Sequence, residues 1–102
     1  MTGIVIKMAL ENVSKNTIKR LSAMYEFTEI IDTCGTRCPI PLLRAKKALK
    51  NLSEGEYLLV LATDPSAKGD FDAMLRHLPH ALIDFQSERD IQRIDYFVIQ
   101  KG

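Results

Sequence analysis

Residues 53–65, SEGEYLLVLATDP, contain the most apolar run of the chain. From Glu56 to Thr63 the apolar residues do not alternate with polar ones, which predicts a buried central strand. Gly55 suits the left-handed position that closes a preceding helix, and Asp64-Pro65 punctuates the exit turn. Working upstream, Pro39–Leu52 reads as a helix with Leu42, Ala45, Ala48, Leu49 and Leu52 on its buried stripe. Phe27–Asp32 reads as a strand before it. Downstream, Ala67, Phe71, Met74, Leu75 and Leu78 share one face of a second helix, with Asp64 or Asp70 as its cap and Pro79 as its stop. Ala81–Ser87 predicts a third strand, the polar stretch Ser87–Gln92 a turn, and Ile94–Gln100 a last strand. In that strand Tyr96 and Val98 face one way, Phe97 and Ile99 the other. The order β-α-β-α-β-β predicts an α+β, two-layer α/β sandwich. Its four-stranded mixed sheet carries both helices on one face.

Residues 1–24 stand apart as an N-terminal extension of a domain spanning residues 25–102. Ile4–Ile6 fit a short strand. Leu10, Val13, Ile18, Leu21 and Met24 fit one helical stripe capped by Asn12 or Ser14. A strand plus helix and a partly disordered docking arm both remain open for this segment.

A chain of 102 residues suits one domain, and 46% hydrophobic with 26% charged residues supports a packed core rather than disorder. Fourteen basic against 13 acidic residues leave a net charge of +1, which argues against a dedicated nucleic-acid binder. No apolar run approaches the roughly 20 residues a membrane span needs. The start MTGIVIKMAL is too short and too charged for a secretory signal, so a cytoplasmic location is expected. Two cysteines do not make a disulfide scaffold.

Both cysteines lie in CGTRCPIPLLRAKKAL, residues 34–49. Cys38 is expected at the N-cap of the first helix, where free N–H groups and the helix dipole lower a thiol's pKa. Arg37 and the basic turn beyond act in the same direction: residues 37–50 hold five basic residues and no acidic one. Pro39 and Pro41 stiffen the junction. A reactive, outward sulfur and a buried cysteine filling space stand level on these local grounds. Leu43, beside the buried stripe and ringed by Arg44, Lys46 and Lys47, predicts a docking point for an acidic partner. A merely solvated basic face is the plainer alternative.

The ordered set Asp32, Gly35, Cys38-Pro39-Ile40-Pro41, Lys46-Lys47-Ala48-Leu49, Gly55 and Ala62-Thr63-Asp64-Pro65 resembles the TusA/SirA-like sulfur-carrier family. Asp70-Phe71 and His80-Ala81-Leu82 extend the resemblance, which covers residues 27–101. It implies a sulfur carrier that accepts sulfane sulfur as a persulfide on Cys38 and relays it. Asp32, Gly35, Arg37, Pro39, Pro41 and Asp64 form the supporting motif. It implies a cysteine desulfurase or another sulfur-donor protein upstream and an acceptor protein downstream, with no cofactor. The alternative is a non-catalytic binding or regulatory module with a redox-sensing Cys34/Cys38 pair. Cys34 is either an auxiliary, resolving thiol or a small buried side chain, the latter favoured. Cys34, Cys38, His77 and His80 offer zinc-type ligands, but the His pair is spaced more tightly than usual, so no metal is expected. Direct nucleic-acid binding by the basic helix lacks stacking aromatics and is not expected either.

Overall fold

The computed structural model describes residues 15–89 and 91–102. The expected Ile4–Ile6 strand, Leu10, Val13 and the caps Asn12 and Ser14 lie outside the described residues. The elements are α1 (Lys15–Met24), β1 (Phe27–Asp32), α2 (Ile40–Lys50), β2 (Tyr57–Ala62), α3 (Ala67–Leu75), β3 (Ala81–Arg89) and β4 (Arg93–Gln100). The apolar run of residues 53–65 supplies β2, which sits inside the sheet order β1-β2-β4-β3. It pairs in parallel with β1 and antiparallel with β4, and β3 pairs antiparallel with β4 on the far edge.

Because β2 is apolar at every position, both faces of the sheet must be covered. On one face Leu58, Val60 and Ala62, with Phe97 and Ile99 of β4, pack against Ala45, Ala48 and Leu49 of α2 and Ala67 and Phe71 of α3. Phe97 joins Phe71 at 4.6 Å and Phe85 at 5.1 Å between ring centroids. This is the expected two-layer body, with both helices on one face of a mixed sheet. On the other face Leu59, Leu61, Ile94, Tyr96 and Val98 pack against Ile18 and Leu21 of α1. Ile18 and Leu21 of the stripe read from the sequence thus have their partner in the second face of the sheet, whereas Met24 is exposed. Burying each such aliphatic side chain contributes ~1.5–3 kcal/mol.

Strand β3 runs on through Ser87, Glu88 and Arg89, which the sequence assigns to a turn. These residues pair with Asp95, Ile94 and Arg93. The Ser87 and Glu88 side chains are engaged by neighbours, and Arg89 is exposed. Ser87 Oγ donates to the buried Asp95 at 2.8 Å, Arg93 pairs with the same carboxylate at 3.0 Å, and Thr17 of α1 donates to Glu88. Arg20 of α1 reaches Gln86, and the Tyr25 hydroxyl reaches Asp84 at 3.4 Å. At the other end of the sheet, Lys101 Nζ donates to the Leu49 carbonyl at 2.6 Å, a cation at the C-terminus of α2 where the helix dipole favours one.

Candidate functional site

The loop from β1 to α2 leaves at the C-terminal ends of the parallel pair β1 and β2. Thr33 anchors it: its N–H and its hydroxyl both donate to the Leu61 carbonyl, at 2.8 and 2.6 Å. Asp32 Oδ1 accepts the Cys34 N–H at 2.9 Å and turns the chain. Gly35 adopts φ +84°, a left-handed conformation that glycine takes without steric cost, and its N–H donates to the Thr63 hydroxyl at 2.8 Å. Arg44 reaches back from α2 to the Asp32 carbonyl at 3.1 Å. Of the supporting motif, Asp32, Gly35 and Asp64 therefore hold the loop through hydrogen bonds. Arg37 is exposed and lines a groove of about 300 Å³ with Gly35, Thr36, Thr63, Asp64 and Pro65.

Cys38 is exposed at the end of this loop, and its peptide bond to Pro39 is cis. Its N–H donates to Asp64 Oδ2 at 2.7 Å, while Asp64 Oδ1 accepts both the N–H and the hydroxyl of Ser66 at 3.0 Å. These bonds, with Arg37 nearby, hold the Asp64 carboxyl below its usual range. One carboxylate thus ties the cysteine loop to the start of α3.

Two sequence expectations about Cys38 change. The N-cap of α2 is Pro39, and Cys38 lies one residue outside it. Few donors face the sulfur there. Pro39 and Pro41 have no N–H, and the Ile40 N–H donates to the Arg37 carbonyl at 2.8 Å. The prolines that shape the junction remove the groups that were expected to stabilise a thiolate. The Cys38 thiol is in fact held above its ordinary value, first by a hydrogen bond to the Asp70 side chain, then by partial desolvation and by the charges of Asp70 and Asp64.

Cys34 has different surroundings. It packs against the α1-side cluster, and burial, reinforced by Asp32, pushes its thiol up to about 12. Both cysteines are free thiols. Cys34 packs against the layer between sheet and α1, whereas Cys38 is exposed just before α2.

On the outer surface of α2, Leu43, Arg44, Lys46 and Lys47 are all exposed, Leu43 by 58%. Ile40 joins them at 45% exposure, one turn before Leu43 and two residues from Cys38. The sequence reading missed Ile40, because it counts as an ordinary apolar residue until the helix face is known. It read Asp70 as a possible helix cap and as part of the family resemblance, and the N-cap of α3 is Ser66. His77 is exposed beyond α3. His80 Nδ1 accepts the Gly102 N–H at 3.0 Å, at the end of the sheet away from Cys38. Among the described residues no three Cys, His, Asp or Glu side chains converge into a metal-sized cluster, and no helix is long and apolar enough to cross a membrane.

Comparison with known proteins places this geometry in a family. The family model described as sulfurtransferase TusA matches residues 29–101. A candidate sulfur carrier of Neisseria meningitidis serogroup A is 51% identical over 63 residues, 62% of this chain and 84% of that protein. The sulfur carrier protein TusA of Allochromatium vinosum is 42% identical over 65 residues, 64% of this chain and 86% of that protein. The crystal structure of a SirA-like protein from Desulfitobacterium hafniense superposes with a TM-score of 0.53 at 30% identity, covering 74% of this chain and all of the other. The chain belongs to the TusA family of sulfurtransferases.

Proposed function

We propose that this protein carries sulfur as a persulfide on Cys38. It receives the sulfur from a donor protein such as a cysteine desulfurase and delivers it to an acceptor protein. The observation that carries the reading is the placement of Cys38. It is exposed at a loop fixed by Asp64 and Thr33, beside a helix face that offers Ile40 and Leu43 within a basic surround. The exchange needs no redox partner. The Cys38 sulfur, once deprotonated, attacks the outer sulfur of the donor's persulfide. A new S–S bond forms on Cys38, the donor's S–S bond breaks, and the donor thiolate leaves and takes up the proton. Reversal of the same step on an acceptor thiol unloads the carrier.

The exposed face of α2 is the docking surface for both partners in this reading. Its charge fits acidic patches, and Leu43 and Ile40 supply the apolar centre. Residues 25–102 act as the carrier domain, and α1 with the residues before it extends that domain. The protein works in the cytoplasm and contacts neither membrane nor nucleic acid. Radiolabelled cysteine and a purified cysteine desulfurase test the proposal. Label is expected on the carrier on a non-reducing gel, and it should be released by a thiol reductant. Label absent from the carrier with active donors would overturn it.

A further inference from the structure

The two faces of the sheet are covered unequally. On one, five buried side chains of α2 and α3 close the layer: Ala45, Ala48, Leu49, Ala67 and Phe71. On the other, the buried apolar side chains that α1 contributes are Ile18 and Leu21. The rest of its hold is polar: Thr17 donates to Glu88, and Arg20 to Gln86. In the same layer the Tyr96 hydroxyl is buried with no hydrogen-bond partner among the described residues. An unsatisfied buried hydroxyl is costly, and opening the layer to water relieves it. Few apolar contacts and an orphaned hydroxyl make this the layer that opens first. α1 also precedes the segment that the family model matches, which begins at residue 29. Cys34 packs half-buried against this Ile18–Leu21 cluster. Hydrogen bonds pin its loop: the Cys34 N–H to Asp32, the Thr33 N–H to Leu61 and the Gly35 N–H to Thr63. Cys38 is a second free thiol four residues further on. A stretch that short spans at most ~14 Å, and a disulfide needs Cα atoms within about 7 Å. Rearrangement of this loop alone is enough to join the pair.

We propose that α1 guards the loaded carrier: by keeping Cys34 packed in its layer, it stops Cys34 from discharging the sulfur held on Cys38. The step it prevents needs no outside oxidant. A Cys34 thiolate attacks the inner sulfur of the Cys38 persulfide. The Cys34–Cys38 bond forms, the bond to the cargo sulfur breaks, and hydrosulfide leaves. The proton given up by Cys34 goes to solvent. The cargo sulfur is reduced and lost, and the two thiols are oxidised to a disulfide. Packing opposes this in two ways. Desolvation keeps Cys34 protonated, and a side chain held in the cluster is not free to turn to Cys38. When α1 lifts, both restraints go and the carrier empties itself. The inference rests on Cys38 being the carrier sulfur.

The test needs no sulfur donor. The exposed Cys38 is capped with one equivalent of an aromatic disulfide reagent, whose mixed disulfide stands in for the loaded sulfur. Excess reagent is removed, and release of the coloured aromatic thiolate is followed with no thiol added. In the parent the cap should persist. In Leu21→Ala release should be at least ~10-fold faster and should leave a Cys34–Cys38 disulfide by mass. Leu21→Val, a milder truncation, should give an intermediate rate and carries the test if Leu21→Ala does not fold. Adding Cys34→Ser should abolish release in either variant. A merely structural α1 would lower the unfolding temperature without tying release to Cys34. Equal rates in the parent and a folded Leu21 variant would overturn the proposal. So would rapid release from the parent, or release that survives Cys34→Ser. A carrier that takes no sulfur from a desulfurase would overturn the proposed function and leave this result standing.

Discussion

Cys34 and Cys38 are four residues apart, yet one packs against the α1-side cluster and the other is exposed. Cys34 is half-buried with the α1-side cluster, where desolvation pushes its thiol up to about 12. Cys38 is exposed, and its thiol is raised chiefly by a carboxylate from α3. Both sulfurs are held as thiols at neutral pH, but by causes of different kind. Burial is fixed as long as the core is intact. A hydrogen bond at an open surface yields to whatever docks there. Access to the two sulfurs in this loop is therefore decided by which side chain turns into the core and which stays at the surface.

The largest effect that would break this contrast is all-or-none. Cys38→Ser should abolish sulfur acceptance with the fold intact by circular dichroism, whereas Cys34→Ser should load normally. Equal loss in both variants would mean the thiols act as a pair. Next in size is a change to the cover over Cys34. Leu21 is fully buried between α1 and the sheet. Leu21→Ala should cost about 2–5 kcal/mol in denaturant unfolding. It should also speed alkylation of Cys34 while leaving Cys38 unchanged. Equal acceleration at both thiols would show that the two layers open together.

A smaller effect sharpens the Cys38 side. Leu43→Asp places an anion in the basic apolar face of α2. It should weaken donor binding roughly tenfold, about 1.4 kcal/mol. Because Leu43 is exposed, stability should stay within about 0.5 kcal/mol of the parent. Unchanged affinity by titration calorimetry would move the docking surface elsewhere. The smallest effect concerns acid. The fold holds Asp64 below its unfolded value, so its contribution to stability is present above the ordinary aspartate range. That contribution is lost as pH falls through the depressed value. Asp64→Asn should flatten the acid limb of a plot of unfolding temperature against pH. Parallel limbs would show that the Cys38–Asp64–Ser66 link adds nothing to stability.

The central layer was legible because its signals are local and periodic. The unbroken run in residues 57–62 makes an inner strand, and the alternation around Tyr96 and Phe97 sorts β4 between two cores. A helix opening at the prolines was legible too, although its N-cap is Pro39 and not Cys38. What lay beyond the sequence depends on contacts between distant residues. Ile18 and Leu21 show a helical stripe but not the sheet face it covers. Ser87 and Glu88 look like turn residues until Asp95 and Thr17 are seen to bind them. Asp70 stands 32 positions after Cys38 in the chain, and nothing in its neighbours announces that its charge helps to raise the Cys38 thiol. The local argument for a lowered thiol pKa failed on physical grounds: two prolines and the Arg37 carbonyl leave the helix start few donors to offer.

The most direct test of the account is intact-mass analysis after incubation with a cysteine desulfurase and cysteine. The parent, Cys34→Ser and Cys38→Ser proteins are compared, with and without reductant. A gain of one sulfur atom on the parent and on Cys34→Ser, removed by reductant and absent from Cys38→Ser, is the predicted result. The same gain on Cys38→Ser, or its loss from Cys34→Ser, would contradict the assignment of the carrier sulfur to Cys38 alone.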